Sequence, residues 1–117
     1  MTSIELYQRL EQGAAVIQLT RPLTRTHYAD LPQYVAGVLA DDVRAALLDL
    51  HAVDFADSTG ISALLGARKA ADAAHKPLIL CNVSDYFLNI INMLNLSDVF
   101  TVRESVQSAL RELEDQA

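Results

Sequence analysis

The chain is short of several things, and each shortage excludes a class of protein. It has one cysteine, Cys81, so no internal disulfide framework can hold it together. It has only two lysines, Lys69 and Lys76, and its 9 Lys plus Arg face 15 Asp plus Glu, for a net charge of −6. Such a chain offers no basic stripe for phosphate backbones or anionic lipid, which argues against nucleic-acid binding and against a membrane-surface role. No apolar run approaches the ~20 residues of a membrane span. Met1-Thr2-Ser3-Ile4-Glu5 lacks the basic start and apolar stretch of a signal peptide. Glycine and proline are scarce, at 4 and 3, and they are scattered, so no linker stands out. The expectation is a cytoplasmic protein of one domain spanning residues 1–117, with a core over about 4–113.

What is present is apolar. Hydrophobic residues make up 51% of the 117 residues, against 21% charged, a globular balance. Ile4 to Leu10 partly alternates and Ala15 to Leu19 is nearly all apolar, with Glu11-Gln12-Gly13 between them to turn. This predicts a β-hairpin. Pro32 belongs in a first helical turn, so a helix is expected to begin near Tyr28 to Leu31, with Leu31, Val35, Val38 and Leu39 on one face. Ala45 to Leu50 reads as an inner strand. A long helix follows Asp57-Ser58-Thr59-Gly60, with Ile61, Leu64, Leu65, Arg68 and Ala71 to Asp72 along its inner stripe and flank, an alanine-rich surface, and Pro77 as its stop. Leu78 to Val83 is a second buried strand. Ser84-Asp85 caps a helix with Phe87, Ile90, Ile91 and Leu94 inward and Met93 as a packing residue. Phe100 to Val102 is a short strand, and Val106, Ala109, Leu110 and Leu113 mark a final helix. The order ββαβαβα(β)α gives an α/β fold, a mixed sheet with helices packed on it.

Most candidate sites fail on chemistry. His27, His51 and His75 are 24 residues apart and none has a ligand partner at helical spacing, so no metal site is expected. There is no phosphate-binding loop, no dinucleotide fingerprint and no nucleophile elbow, so no cofactor is implied. Asp54 and Asp57 suggest a carboxylate pair, but carboxylates ahead of a helix are ordinarily caps. Cys81 sits in an apolar strand and reads as an inert core thiol. No nucleophile–base–orienter set is visible, so an enzyme is the least favoured class.

One segment stands out. Leu48 to Leu65 runs strand, loop and helix start. Asp57 or Ser58 is the N-cap, free backbone N–H groups follow, and the helix dipole makes that end partly positive. Gly60, without a side chain, is expected to leave the end open to close approach. A hydroxyl here is exposed, and a phosphate on it would meet backbone donors. The plain alternative is a well-capped helix and nothing more.

The same stretch resembles the signature of the STAS domain family, the anti-sigma factor antagonists. Asp49-Leu50, Val53, Phe55, Asp57-Ser58-Thr59-Gly60, Ile61, Leu64 and Leu65 all match it in order and spacing. Asn92 to Phe100 is similar to a later family segment, with Asn95 where glycine is common. The resemblance implies a phosphorylation-controlled switch with no chemistry of its own. Ser58 is the implied phosphoacceptor, modified by an anti-sigma factor that is a serine kinase with a histidine-kinase-like ATP fold. A metal-dependent serine phosphatase is implied to reset it. Asp57, Thr59, Gly60, Ile61 and Ser62 are the implied partner-binding surface, joined by Thr24 and Arg25 in the loop before the first helix. There the family carries an acid, and this chain has Thr24 instead, followed by Arg25. The alternative is a STAS accessory subunit of an ABC lipid-transport system. A third possibility is a domain that senses a small molecule at the Asp57 to Ser62 turn.

Overall fold

A computed structural model describes residues 6–115. The hairpin joins β1 (Leu6–Glu11) to β2 (Ala14–Leu19), antiparallel, with Glu11 opposite Ala14. Its two loop residues, Gln12 and Gly13, have φ of 54° and 81°. Positive φ at both is what a two-residue turn needs to match strand twist, and glycine supplies one of them without strain. Ile4 lies outside the described residues. The rest of the chain alternates: α1 (Arg25–Tyr28), α2 (Leu31–Leu39), β3 (Ala46–Asp49), α3 (Ser58–Ala74), β4 (Leu78–Cys81), α4 (Asp85–Met93), β5 (Thr101–Arg103) and α5 (Val106–Asp115). The sheet order is β1-β2-β3-β4-β5, with every pair after the first parallel. This is the expected mixed sheet and element order, with one addition, the single turn α1 ahead of α2.

Both faces of the inner strands are covered. Ala15, Ile17, Leu48 and Leu80 point into a core shared with α2, α3 and α4. Val16, Leu47, Ile79 and Cys81 point the other way, onto Val106, Ala109, Leu110 and Leu113 of α5. Strands buried on both sides read as unbroken apolar runs, which is why Ala45 to Leu50 and Leu78 to Val83 stand out in the sequence, although β3 and β4 end at Asp49 and Cys81, and Asn82 turns away at φ 57°.

The structure corrects several details. α1 is a single helical turn with too few residues to show a period. It is tied down by Tyr28, whose buried hydroxyl accepts from the backbone N–H groups of Thr20 and Arg21, each at 3.0 Å. In α3, Ala63 and Ala67 are buried in the core and not on the surface, because α2 crosses closely there. Arg68 and Asp72 form an exposed-flank pair at 3.0 Å. The helix is stopped by His75, not Pro77. His75 is left-handed (φ 57°), and the N–H groups of His75 and Lys76 donate to Asp72 and Ala71 carbonyls at 3.1 Å. α4 ends at Met93, so Met93 (80% exposed) and Leu94 (51%) face solvent instead of the core. Asn95 then takes φ 58°, a conformation asparagine tolerates. β5 starts one residue later than expected, and Phe100 is buried beside it.

Candidate functional site

The Leu48–Leu65 segment crosses the C-terminal end of the sheet, where open α/β sheets place their functional crevices. From β3 the chain turns back at Leu50 to Val53, where the Val53 N–H donates to the Leu50 carbonyl at 3.0 Å. It then pairs with the loop after β2. Leu23 and Ala56 form a parallel bridge, the Leu23 N–H donates to the Phe55 carbonyl at 2.8 Å, and the Asp57 N–H donates to the Leu23 carbonyl at 3.3 Å. This pairing fixes residues 22–25 against the entrance of α3.

Asp57 is the N-cap. Its Oδ1 accepts from the Gly60 N–H at 3.0 Å and from the Thr59 hydroxyl at 2.6 Å. These bonds, the Thr59 one foremost, hold its carboxyl below the usual carboxylate range, so Asp57 is ionised at neutral pH. Its role as a cap removes it from any acid–base pair with Asp54. The Thr59 hydroxyl is committed twice, since Oγ1 also accepts from the Arg25 N–H at 2.9 Å. Ser58, the first residue of α3, is exposed, and its hydroxyl has no partner among the described residues.

The structure divides the residues expected at this surface. Arg25, Ser58, Thr59 and Ser62 line one open depression of about 460 Å³, with Ala29, Pro32 and Ala63. Thr24, half-buried, is the N-cap of α1 beside it. Gly60 and Ile61 are buried and cannot meet a partner directly. Gly60 does not keep the helix end open, because the space a side chain would need is filled by the chain itself. A Cβ there would lie 1.7 Å from the Leu23 carbonyl oxygen.

A second polar cluster escaped the sequence reading. Asp49, at the end of β3, is only 7% exposed. Its Oδ1 accepts from Asn82 Nδ2 at 2.9 Å, from the His51 N–H at 3.2 Å and from His51 Nδ1 at 3.1 Å. Burial pushes its carboxyl up, but the Asn82 and His51 bonds outweigh that and leave it below its ordinary value. An aspartate inside an apolar run was the available signal, since a buried carboxylate must find donors. Across the sheet end, burial first and the Asp49 charge second push the Cys81 thiol up to about 12, with Arg103 opposing. It is an inert thiol at neutral pH.

Comparison with known proteins adds three findings. A STAS domain family model matches residues 5–109. A candidate anti-sigma factor antagonist from Thermotoga maritima superposes with a TM-score of 0.83 at 13% identity, covering 93% of this chain and 94% of that one. An anti-sigma factor antagonist (STAS) domain protein from Planctomyces limnophilus gives 0.79 at 19% identity, over 94% of this chain and 98% of its own. The murine anion transporter Slc26a9 gives 0.76 at 19% identity, over 92% of this chain but only 18% of the transporter. At these identities the likeness is one of fold: the same architecture stands alone in some proteins and is a small module of others.

Proposed function

Because this chain belongs to the STAS domain family, we propose that it acts as a phosphorylation-controlled anti-sigma factor antagonist, with Ser58 as the phosphoacceptor. In its unmodified form it binds an anti-sigma factor that is also a serine kinase, and frees the sigma factor or another target. Phosphorylation of Ser58 ends that binding, and a metal-dependent serine phosphatase restores it. The observation that carries this reading is the contrast of two adjacent hydroxyls. Ser58 is exposed and, among the described residues, unpartnered at the helix entrance, whereas Thr59 is spent on Asp57 and Arg25.

The switch needs no conformational change. A phosphate adds about −1.5 to −2 charge. Opposite a partner carboxylate ~6 Å away, an effective dielectric near 20 gives roughly 3 kcal/mol per unit charge. Screening cuts this to about 1–2 kcal/mol, still a roughly 5- to 30-fold loss of affinity. Asp57, Thr59 and Ser62 with Thr24 and Arg25 form the rim of the contact, and Gly60 and Ile61 support it from below.

Incubation with ATP and a cognate anti-sigma factor kinase is expected to add one phosphate by intact mass, and Ser58→Ala to abolish it. No mass shift, or a shift that survives Ser58→Ala, overturns the reading. Co-purification with an ABC ATPase in place of a kinase would favour the transport-accessory role.

A further inference from the structure

Arg25 stands out in so acidic a chain because its charge is uncommitted beside the site. The side-chain ion pairs of the described arginines are Arg9 with Glu11, Arg68 with Asp72 and Arg103 with Glu112. Arg25, like Arg21, Arg44 and Arg111, has none among the described residues, but of these it is the one that lines the depression at Ser58, and its backbone is firmly fixed there. Its N–H is held by Thr59 Oγ1 at 2.9 Å. Two residues earlier, Leu23 is bonded to Phe55 and Asp57 and packs directly on Gly60. The guanidinium therefore departs from an anchored point, and Arg25 lines the same depression as Ser58 and Ser62.

The carboxylate nearest Ser58 in sequence, Asp57, forms no ion pair with Arg25, and one of its oxygens is already committed. Asp57 spends Oδ1 on Gly60 and Thr59. A phosphate on Ser58 would bring three acceptor oxygens into a depression that Arg25 and Ser62 also line. Arginine and phosphate form strong charge-assisted hydrogen bonds, often two at once.

We infer that Arg25 is an internal clamp for phospho-Ser58, which holds the modified group against the chain's own surface. The inference rests on Ser58 being the phosphoacceptor, and it concerns how long the off state lasts. A phosphate shared with Arg25 must be pulled free before a phosphatase can reach it, so this chain favours its modified form.

The test places phosphoserine at position 58 during translation, so that it does not depend on any kinase. Phosphorus NMR then follows the second ionisation of the phosphate in the otherwise unaltered chain, in Arg25→Gln and in Arg25→Lys. The backbone N–H to Thr59 survives both substitutions. The other titratable groups around the site, Asp54, Asp57 and His27, are common to all three proteins and cancel in the comparison. The phosphate is expected to ionise roughly half a unit lower in the chain that keeps Arg25 than in Arg25→Gln, with Arg25→Lys between, as an adjacent exposed cation requires. Equal values with Arg25 present and in Arg25→Gln overturn the clamp and leave the assignment of Ser58 untouched. Failure of every kinase to modify Ser58 overturns that assignment without altering the phosphate measurement.

Discussion

Side by side in the chain, Ser58 and Thr59 carry the same functional group and face opposite fates, and only the fold separates them. The sequence places both hydroxyls at one helix entrance. What it does not carry is the loop across from them, whose Arg25 N–H claims Thr59. Asp49 makes the same point more strongly. Its donors, His51 and Asn82, are 2 and 33 residues away, and the far one arrives through the parallel pairing of β3 and β4. Asp49 also yields a pH prediction. Its folded carboxyl lies below its ordinary value, so its contribution is fully present above the unfolded value of about 3.9 and is lost as pH falls through the lower folded one. Asp49→Asn is expected to cost about 1–3 kcal/mol in urea unfolding at pH 7, as loss of hydrogen bonds to a charged group does. The deficit should shrink at pH 3. A deficit unchanged between the two pH values would mean the charge is not what matters.

The elements that emerged from periodicity are the long or fully buried ones, and those that did not are short or end by unusual geometry. α1 has four residues, less than any pattern can register, and α3 ends on a left-handed histidine where glycine or asparagine is the usual stop signal. Within the helices, glycine plays different parts that the sequence cannot tell apart. At Gly60 a Cβ would collide with the Leu23 carbonyl at 1.7 Å, and the obstacle is backbone with nowhere to go. At Gly37, in α2, a Cβ meets nothing within 4 Å. Gly60→Ala is therefore expected to destabilise by on the order of 3 kcal/mol, through overpacking and loss of the docked loop. Gly37→Ala is expected to stabilise by about 0.5–1 kcal/mol, through helix propensity alone. Chemical denaturation midpoints of the two variants should move in opposite directions. If both destabilise, the distinction drawn between buried and open glycines is wrong.

At the scale of the whole molecule, a five-stranded sheet carries α1 to α4 on one face and α5 on the other, and the Ser58 side chain is exposed at the end of the sheet, outside both cores. That separation predicts a switch that works by surface charge alone. Ser58→Glu should leave the melting temperature within a few degrees, because exposed positions away from packed features change stability by under about 0.5 kcal/mol. It should weaken binding of the partner at least several-fold by calorimetry. Unchanged affinity would remove the turn from the contact surface, and a large thermal shift would mean the switch acts through the fold. The separation is also why so much was legible: the cores speak through apolar periodicity, the turn through its string of capping residues, and only the cross-chain bonds between them are silent. The position of Cys81 has a practical consequence. It lies at 0% exposure between the sheet and α5. An alkylating reagent can capture its sulfur only in moments when α5 lifts away, so the pace of labelling becomes a clock for how often the back of the molecule breathes.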